Sequence, residues 1–416
     1  MVETITKIQR YEIYKESGVE WLGEIPEHWE LKRLKYVFTI LKRISGELGH
    51  DVLSITQSGI KIKDIDSGSG QLSMDYSKYQ LVFQGDFAMN HMDLLTGYVD
   101  LSKYDGVISP DYRVFNILDT NCDKDYLLIL LQLGYQSKVF YAHGQGVSML
   151  GRWRFPAENF NNFIFPIPPL TEQIKIAQFL DDKTTKIEDA IAINEQQISL
   201  LKERKQILIH KAVTRGLDDS VTLKDSGVEW IGEIPEHWEV KRFKFLCDIT
   251  TGSKNTQDKV ENGLYPFYVR SQIPEKINTY TFDGEAILTA GDGAGVGKVF
   301  HYLNEKFDFH QRVYKFSNFR NIEGKLLFYY LRSNFHSIAL NGEAKSTVDS
   351  LRLPLIQNFM VTIPPKREQI EIINRIETAS QKIETAIGLK QQEIEKLKEY
   401  KSSLINGVVT GKVKVC

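Results

Sequence analysis

Cysteine is scarce in this chain, three in 416 residues, and Cys122, Cys247 and Cys416 stand far apart in no metal-ligand spacing. That excludes a disulfide framework and a thiolate metal centre, and leaves reduced thiols as the expectation. No apolar run approaches the roughly 20 residues that cross a bilayer, and the opening stretch lacks the apolar core of a signal peptide, so a cytoplasmic protein without membrane contact is expected. Neither sign of charge is in excess: 52 Lys and Arg face 54 Asp and Glu, for a net charge of −2. A nucleic-acid binder of this balance has to gather its cations on one face. With 42 % hydrophobic and 25 % charged residues, the composition is globular, and the length suffices for two or three domains.

Catalytic motifs are missing as well. The nearest approach to one is residues 291–298, Gly-Asp-Gly-Ala-Gly-Val-Gly-Lys. A phosphate loop needs Gly five residues before its Gly-Lys pair and Ser or Thr after it, but those positions hold Asp292 and Val299. A dinucleotide fingerprint opens a helix, whereas Lys298-Val299-Phe300-His301-Tyr302 alternates like a strand, so a turn between strands is predicted. The two Pro-Pro pairs lack the flanking Asn and Tyr of an amino-methyltransferase motif. His28 and His237 each stand alone between Glu and Trp and read as packing residues. No His, Cys and carboxylate cluster has catalytic or metal spacing, so neither an enzyme nor a metalloprotein is expected.

What the chain has instead is repetition. Residues 17–33, SGVEWLGEIPEHWELKR, return at 226–242 as SGVEWIGEIPEHWEVKR, and Ile167-Pro168-Pro169 returns as Ile363-Pro364-Pro365. Such identity marks an internal duplication. Each Pro-Pro pair is placed to end a globular segment and start a helix. Behind the pairs lie residues 171–211 and 366–406, two polar stretches in which the only Gly or Pro is Gly388. Both predict long helices.

Heptad seam positions in the first fall on Ala177, Leu180, Thr184, Ile187, Ile191, Asn194, Ile198, Leu201, Lys205 and Leu208. In the second they fall on Ile373, Ile376, Ser380, Ile383, Ile387, Lys390, Ile394, Leu397, Lys401 and Leu404. So narrow a stripe is that of a coiled coil, and helices this polar depend on a partner laid along it. Each is the obvious partner of the other. The polar seam residues Asn194 and Lys390 then suggest a register device, and antiparallel pairing about the midpoints sets Asn194 near Glu384 and Lys390 near Glu188.

Between the repeats, residues 34–165 and 243–362 are rich in Gly, Tyr, Phe and Val and alternate in short runs such as Tyr79-Gln80-Leu81-Val82-Phe83. They predict strands and tight turns with one late apolar helix each, 125–136 and 324–335. A weak skeleton is shared: Gly85-Asp86, Gly97-Tyr98-Val99 and Arg113-Val114-Phe115 correspond to Gly284-Glu285, Gly297-Lys298-Val299 and Arg312-Val313-Tyr314. The fold class is therefore α+β: two similar β-rich domains, 1–165 and 216–362, each followed by a long helix, 166–215 and 363–416, with the helices paired antiparallel.

Cations do gather locally. From 310 to 352 the chain carries Arg312, Lys315, Arg320, Lys325, Arg332, Lys345 and Arg352 against Glu323, Glu343 and Asp349, and residues 138–157 include Lys138, Arg152 and Arg154 with no acid. Two late loops mix Gly with hydrogen-bonding side chains, one with Gln145, Ser148 and Arg152, the other with Lys345, Ser346 and Thr347. Gln145, Ser148, Arg152, Arg154, Lys298, Arg312, Lys315, Lys345, Ser346, Thr347 and Arg352 are the candidates for phosphates or base edges; a solvated surface loop is the competing reading.

Two variable domains, each opened by Gly-Glu-Ile-Pro-Glu-His-Trp and closed by Ile-Pro-Pro, with Glu172-Gln173-Ile174 or Glu368-Gln369-Ile370 leading into a long helix, resemble the specificity subunit of type I restriction-modification systems. The resemblance covers essentially the whole chain. It implies two target-recognition domains, each reading one half of a split, asymmetric double-stranded DNA sequence, and held apart by the helix pair. It also implies partners: two methyltransferase subunits that carry S-adenosylmethionine, and restriction subunits that translocate DNA. Chemistry then belongs to the partners, this chain binding no cofactor itself. A non-catalytic scaffold, two β-rich modules binding proteins on a coiled-coil spacer, remains the alternative.

Overall fold

The computed structural model describes residues 9–65, 75–146, 153–335 and 351–415. They gather into two compact units, Met1–Ala192 with Glu393–Cys416, and Ile193–Gln392. Each unit thus holds one variable segment together with a stretch of both long helices.

Those helices are Leu170–Arg215 and Lys366–Val409, slightly longer than the heptad pattern alone predicts. The first, with 46 residues, is about 69 Å long. Glycines in the left-handed region, Gly216 and Gly411, follow their C-terminal ends, where a side chain would be strained. Every seam position named above is buried or half-buried, among them Asn194 and Lys390. Within the first unit Glu188 pairs with Lys401, and Ala177 and Leu180 share a core with Val408 and Val409. Within the second, Lys205 pairs with Glu384 at 2.8 Å, and Ala212 and Val213 share a core with Ile372 and Ile376. Lower numbers meet higher ones in both, so the helix stretches run antiparallel. The register differs from midpoint pairing, since Glu384 takes Lys205 and Glu188 takes Lys401 in place of Asn194 and Lys390. Each stretch is fastened to its domain at the helix ends, where the seam residues join the domain core.

Both units are built on one plan. In the first, an antiparallel sheet has the order Phe38–Leu41, Arg113–Ile117, Phe87–Met89, Val99–Leu101. In the second the same order recurs as Asp248–Thr251, Val313–Ser317, Phe282–Ala290, Phe300–Phe309, extended by Tyr265–Tyr268 and Glu275–Ile277. The late helices are Lys124–Gln136 and Gly324–Asn334. Aromatic rings fill the first core, with Phe38, Phe87, Phe115, Phe140, Phe155 and Phe160 all buried and meeting edge to face or stacked. Cys122 and Cys247 are free and buried, and burial pushes their thiols up to about 11 and about 12, which leaves them unreactive.

The duplicated motifs form a clamp that appears once in each unit. Trp29 Nε1 donates to Glu172 Oε1 at 3.1 Å, and His28 Nε2 lies 2.9 Å from Glu172 Oε2. Trp238 Nε1 and His237 Nε2 meet Glu368 Oε2 at 3.0 and 2.9 Å. The histidines are therefore packing residues, as their isolation suggests. The next residue, Gln173, donates to the Pro168 and Asn121 carbonyls and accepts the Asp123 N–H; Gln369 does the same with Pro364, Asn321 and Glu323. Asp123 and Glu323 are the N-cap residues of the late helices, so one glutamine ties the start of each long helix to the start of each late helix. A stretch from the other half of the sequence completes each clamp. A Cβ on Gly411 would lie 2.3 Å from the Pro26 ring, and one on Gly216 would lie 3.2 Å from Trp238.

The ladders correct the sequence equivalence of Arg113 with Arg312: Phe115 pairs with Ile40 and Phe87 as Phe316 pairs with Ile249 and Ile287, so Arg113 corresponds to Tyr314 and belongs to the core. It is buried, donates to the Phe155 carbonyl at 2.9 Å and lies over the Phe160 ring. Beside it, His91 Nδ1 is buried with no hydrogen-bond partner among the described residues. Burial, then the charges of Arg113 and Arg154, push the His91 imidazole down to about 4. Because its folded value lies below the unfolded value of about 6.5, neutral His91 favours the fold, and this contribution is lost as pH falls from about 6.5 towards 4. Urea denaturation of the parent should therefore lose on the order of 2–3 kcal/mol across that window, and His91→Gln should lose less. Glu172→Ala leaves two or three donors unsatisfied in the first clamp and should cost about 3 kcal/mol in the same assay, with Glu368→Ala costing less at its more exposed site.

Candidate nucleic-acid interface

In the second unit the strand Phe282–Ala290 runs into residues 291–298, which turn through a 3-10 segment, Gly293–Gly295, before Phe300–Phe309 begins. The turn predicted from the sequence is there, and no helix opens from it. Its glycines permit close approach. A Cβ on Gly295 would lie 2.6 Å from the Arg270 carbonyl oxygen, and one on Gly291 would lie 3.0 Å from that of Arg312. Gly291 N–H donates to Arg312 O at 2.8 Å, and Leu351 N–H donates to Gly291 O at 2.8 Å.

This packing collects charge. Asp292 Oδ1 accepts from Arg270 Nη1 at 2.9 Å and Oδ2 from Arg312 Nη1 at 2.6 Å. Burial would raise the Asp292 carboxyl, but the two guanidinium hydrogen bonds outweigh it and hold it below the usual range. His310 Nδ1 accepts the Arg312 N–H at 3.0 Å, while burial and the two arginines depress its pKa, so the ring stays neutral and fixes the Arg312 backbone. Gln311 Nε2 donates to Asn255 Oδ1 at 2.6 Å, and Gln311 N–H to Lys254 O. Exposed Lys298 sits on the glycine turn, and exposed Arg352 follows Leu351.

In the first unit, Gln145 and Arg154 form an antiparallel bridge, exchanging backbone hydrogen bonds of 2.8 and 2.9 Å. Directly opposed residues of such a pair project to the same side, so these two exposed polar side chains stand together. Gly144 lets the chain pass Trp153, whose Nε1 donates to the Tyr141 carbonyl at 2.8 Å.

Of the residues singled out from the sequence, the structure thus brings Lys298, Arg312 and Arg352 around one turn, and Gln145 and Arg154 onto one bridge. Lys315 lies half-buried in its strand with Nζ 3.5 Å from the Phe282 ring centroid, and burial lowers its pKa. Ser148, Arg152, Lys345, Ser346 and Thr347 lie outside the described residues. Sequence reasoning missed Arg270 and Asp292, because Arg270 lies far upstream of the basic stretch and an acid seemed to count against a DNA site. No local sequence signal marks the pair, since the residues meet only in the fold.

Among the described residues, no group of three or more His, Cys, Asp or Glu is placed to hold a metal ion, and no helix is long and apolar enough to cross a membrane.

Comparison with known proteins places this architecture. Residues 26–203 and 235–398 match the type I restriction modification DNA specificity domain. The MjaVIII type I restriction enzyme specificity subunit of Methanocaldococcus jannaschii is 25 % identical over 97 % of this chain and 98 % of that protein. Two solved chains share the fold. One, from work on complex assembly and conformational transition of the type I R-M system, has a TM-score of 0.70 at 16 % identity over 92 % of this chain and 98 % of its own length. The other, the HsdS subunit from Thermoanaerobacter tengcongensis, has a TM-score of 0.57 at 14 % identity over 96 % and 100 %. With both halves matched, each by a variable segment and its long helix, the chain belongs to the type I restriction modification DNA specificity family.

Proposed function

We propose that this chain reads a split, asymmetric double-stranded DNA target as the specificity subunit of a type I restriction-modification complex, with one half-site per recognition domain. One observation carries this reading: the clamp and sheet order are the same in both units, while the side chains presented by their loops differ. The first unit offers Gln145 and Arg154. The second offers Lys298, Arg312 and Arg352 about a glycine turn. A common frame with unlike loops suits two related recognition tasks with different sequences, and hence a target without two-fold symmetry. Residues 1–165 and 216–362 are proposed as the recognition domains, and 166–215 and 363–416 as the helical spacer.

The chemistry is assigned to partners. In this reading the protein is not itself an enzyme; S-adenosylmethionine is held by two methyltransferase subunits, and restriction subunits translocate DNA in the cytoplasm. Ile193, Leu200 and Ile207 support a partner helix, since each is more than half exposed and they recur at heptad spacing along the first long helix. A soluble monomer rarely leaves such a stripe uncovered.

A genome-wide map of methylated bases in cells with the gene intact and deleted tests the function. One split motif, with unlike halves and a fixed spacer, should lose methylation on deletion. If every motif survives while the partner methyltransferase is expressed, the DNA-reading function is wrong and the protein-binding scaffold takes its place.

A further inference from the structure

We infer that Arg270 and Arg312, gripped by Asp292, read guanine in the half-site taken by the second unit. This rests on the DNA-reading function proposed above and adds to it the residues, the base and the edge recognised.

The geometry is that of two forks on one post. Asp292 has 16 % of its side chain exposed, Arg270 has 43 % and Arg312 has 59 %, so the carboxylate is covered and the guanidinium groups reach outward. Each guanidinium carries five N–H donors, and Asp292 engages Nη1 of each. The backbones are held too. Arg312 is fixed through its N–H to His310 and through its carbonyl to Gly291. Arg270 is fixed because the turn closes to within van der Waals contact at Gly295, where no side chain fits. Such a rigid, planar donor pair matches the O6 and N7 acceptors that guanine shows in the major groove.

A phosphate is the competing ligand, and the carboxylate argues against it. Asp292 cancels one of the two positive charges and would repel a phosphate brought to the same forks, whereas a guanine edge is neutral and gains from donors already aligned. The fold itself does not call for an exposed arginine here. On the strand, Tyr314 takes the place of the buried Arg113: Phe316 pairs with Ile249 and Ile287 as Phe115 pairs with Ile40 and Phe87, and Tyr314 donates to the Leu351 carbonyl where Arg113 donates to that of Phe155. Arg312 precedes that strand and faces solvent outside the core, which marks it as a residue kept for a ligand.

The test uses the full chain assembled with its two methyltransferase copies and a pool of duplexes with both half-sites randomised, bound at two salt concentrations and sequenced. The parent should require G·C at one or two positions of one half-site. Arg312→Lys, which keeps the charge and removes the fork, should lose on the order of tenfold to a hundredfold discrimination at one of those positions. Asp292→Asn should relax the same half-site, and both variants should still select the other half-site, which shows that they fold and assemble. The inference is overturned if Arg312→Lys keeps full discrimination, or if Arg312→Ala weakens all sequences alike with a shallower salt dependence, the behaviour of a phosphate contact. It is also overturned if neither half-site of the parent contains a required G·C pair. A parent complex that selects no sequence at all overturns the proposed function, and this inference with it.

Discussion

A buried carboxylate behind a Pro-Pro pair is the constraint on which this molecule depends. Glu172 accepts from Trp29, His28 and Tyr11, and Glu368 accepts from Trp238 and His237. Each glutamate sits in the first turn of a long helix, where negative charge is favoured, and each is followed by a glutamine that secures the N-cap of the domain's late helix. Remove the carboxylate and the entry loop, the sheet and the long helix lose their common anchor. The helices are fastened to the domains here, at the first turn of each.

Since the clamp fixes the frame, the loops at the far side of each sheet are free to vary. The two sheets share their strand order, yet the second is two strands wider and bears the Arg270–Asp292–Arg312 cluster where the first carries the Gln145–Arg154 bridge. Burial separates framework from function: Arg113 supports the core of the first unit, and Arg312, one residue before its strand in the second, faces solvent. A protein organised in this way changes its ligand by exchanging loops without refolding.

Much of this was legible in the sequence. The heptads place both long helices and their seam, the repeated motifs place the two clamps, and alternating runs place strands such as Gln80–Val82 and Phe300–Phe309. Local patterns could do this because each reports a local constraint, whether helical periodicity, strand alternation or a proline at a helix start. Helix register was not legible: a heptad stripe allows several alignments, and Glu384 and Glu188 pair with Lys205 and Lys401. Nor was the Arg270–Arg312 cluster, because strands far apart in sequence bring it together around Asp292. The setting of Lys315 was hidden for a similar reason: charge is visible in a sequence, and the Phe282 ring beneath it is not.

The central claim is that each clamp holds an independent reading unit. The most direct measurement replaces residues 243–358, between the two faces of the second clamp, with the matching segment of a relative, and maps the methylated motif made by the assembled complex. The account predicts that one half of the target changes while the other half is retained. A change in both halves, or an unchanged target from an active complex, would contradict it.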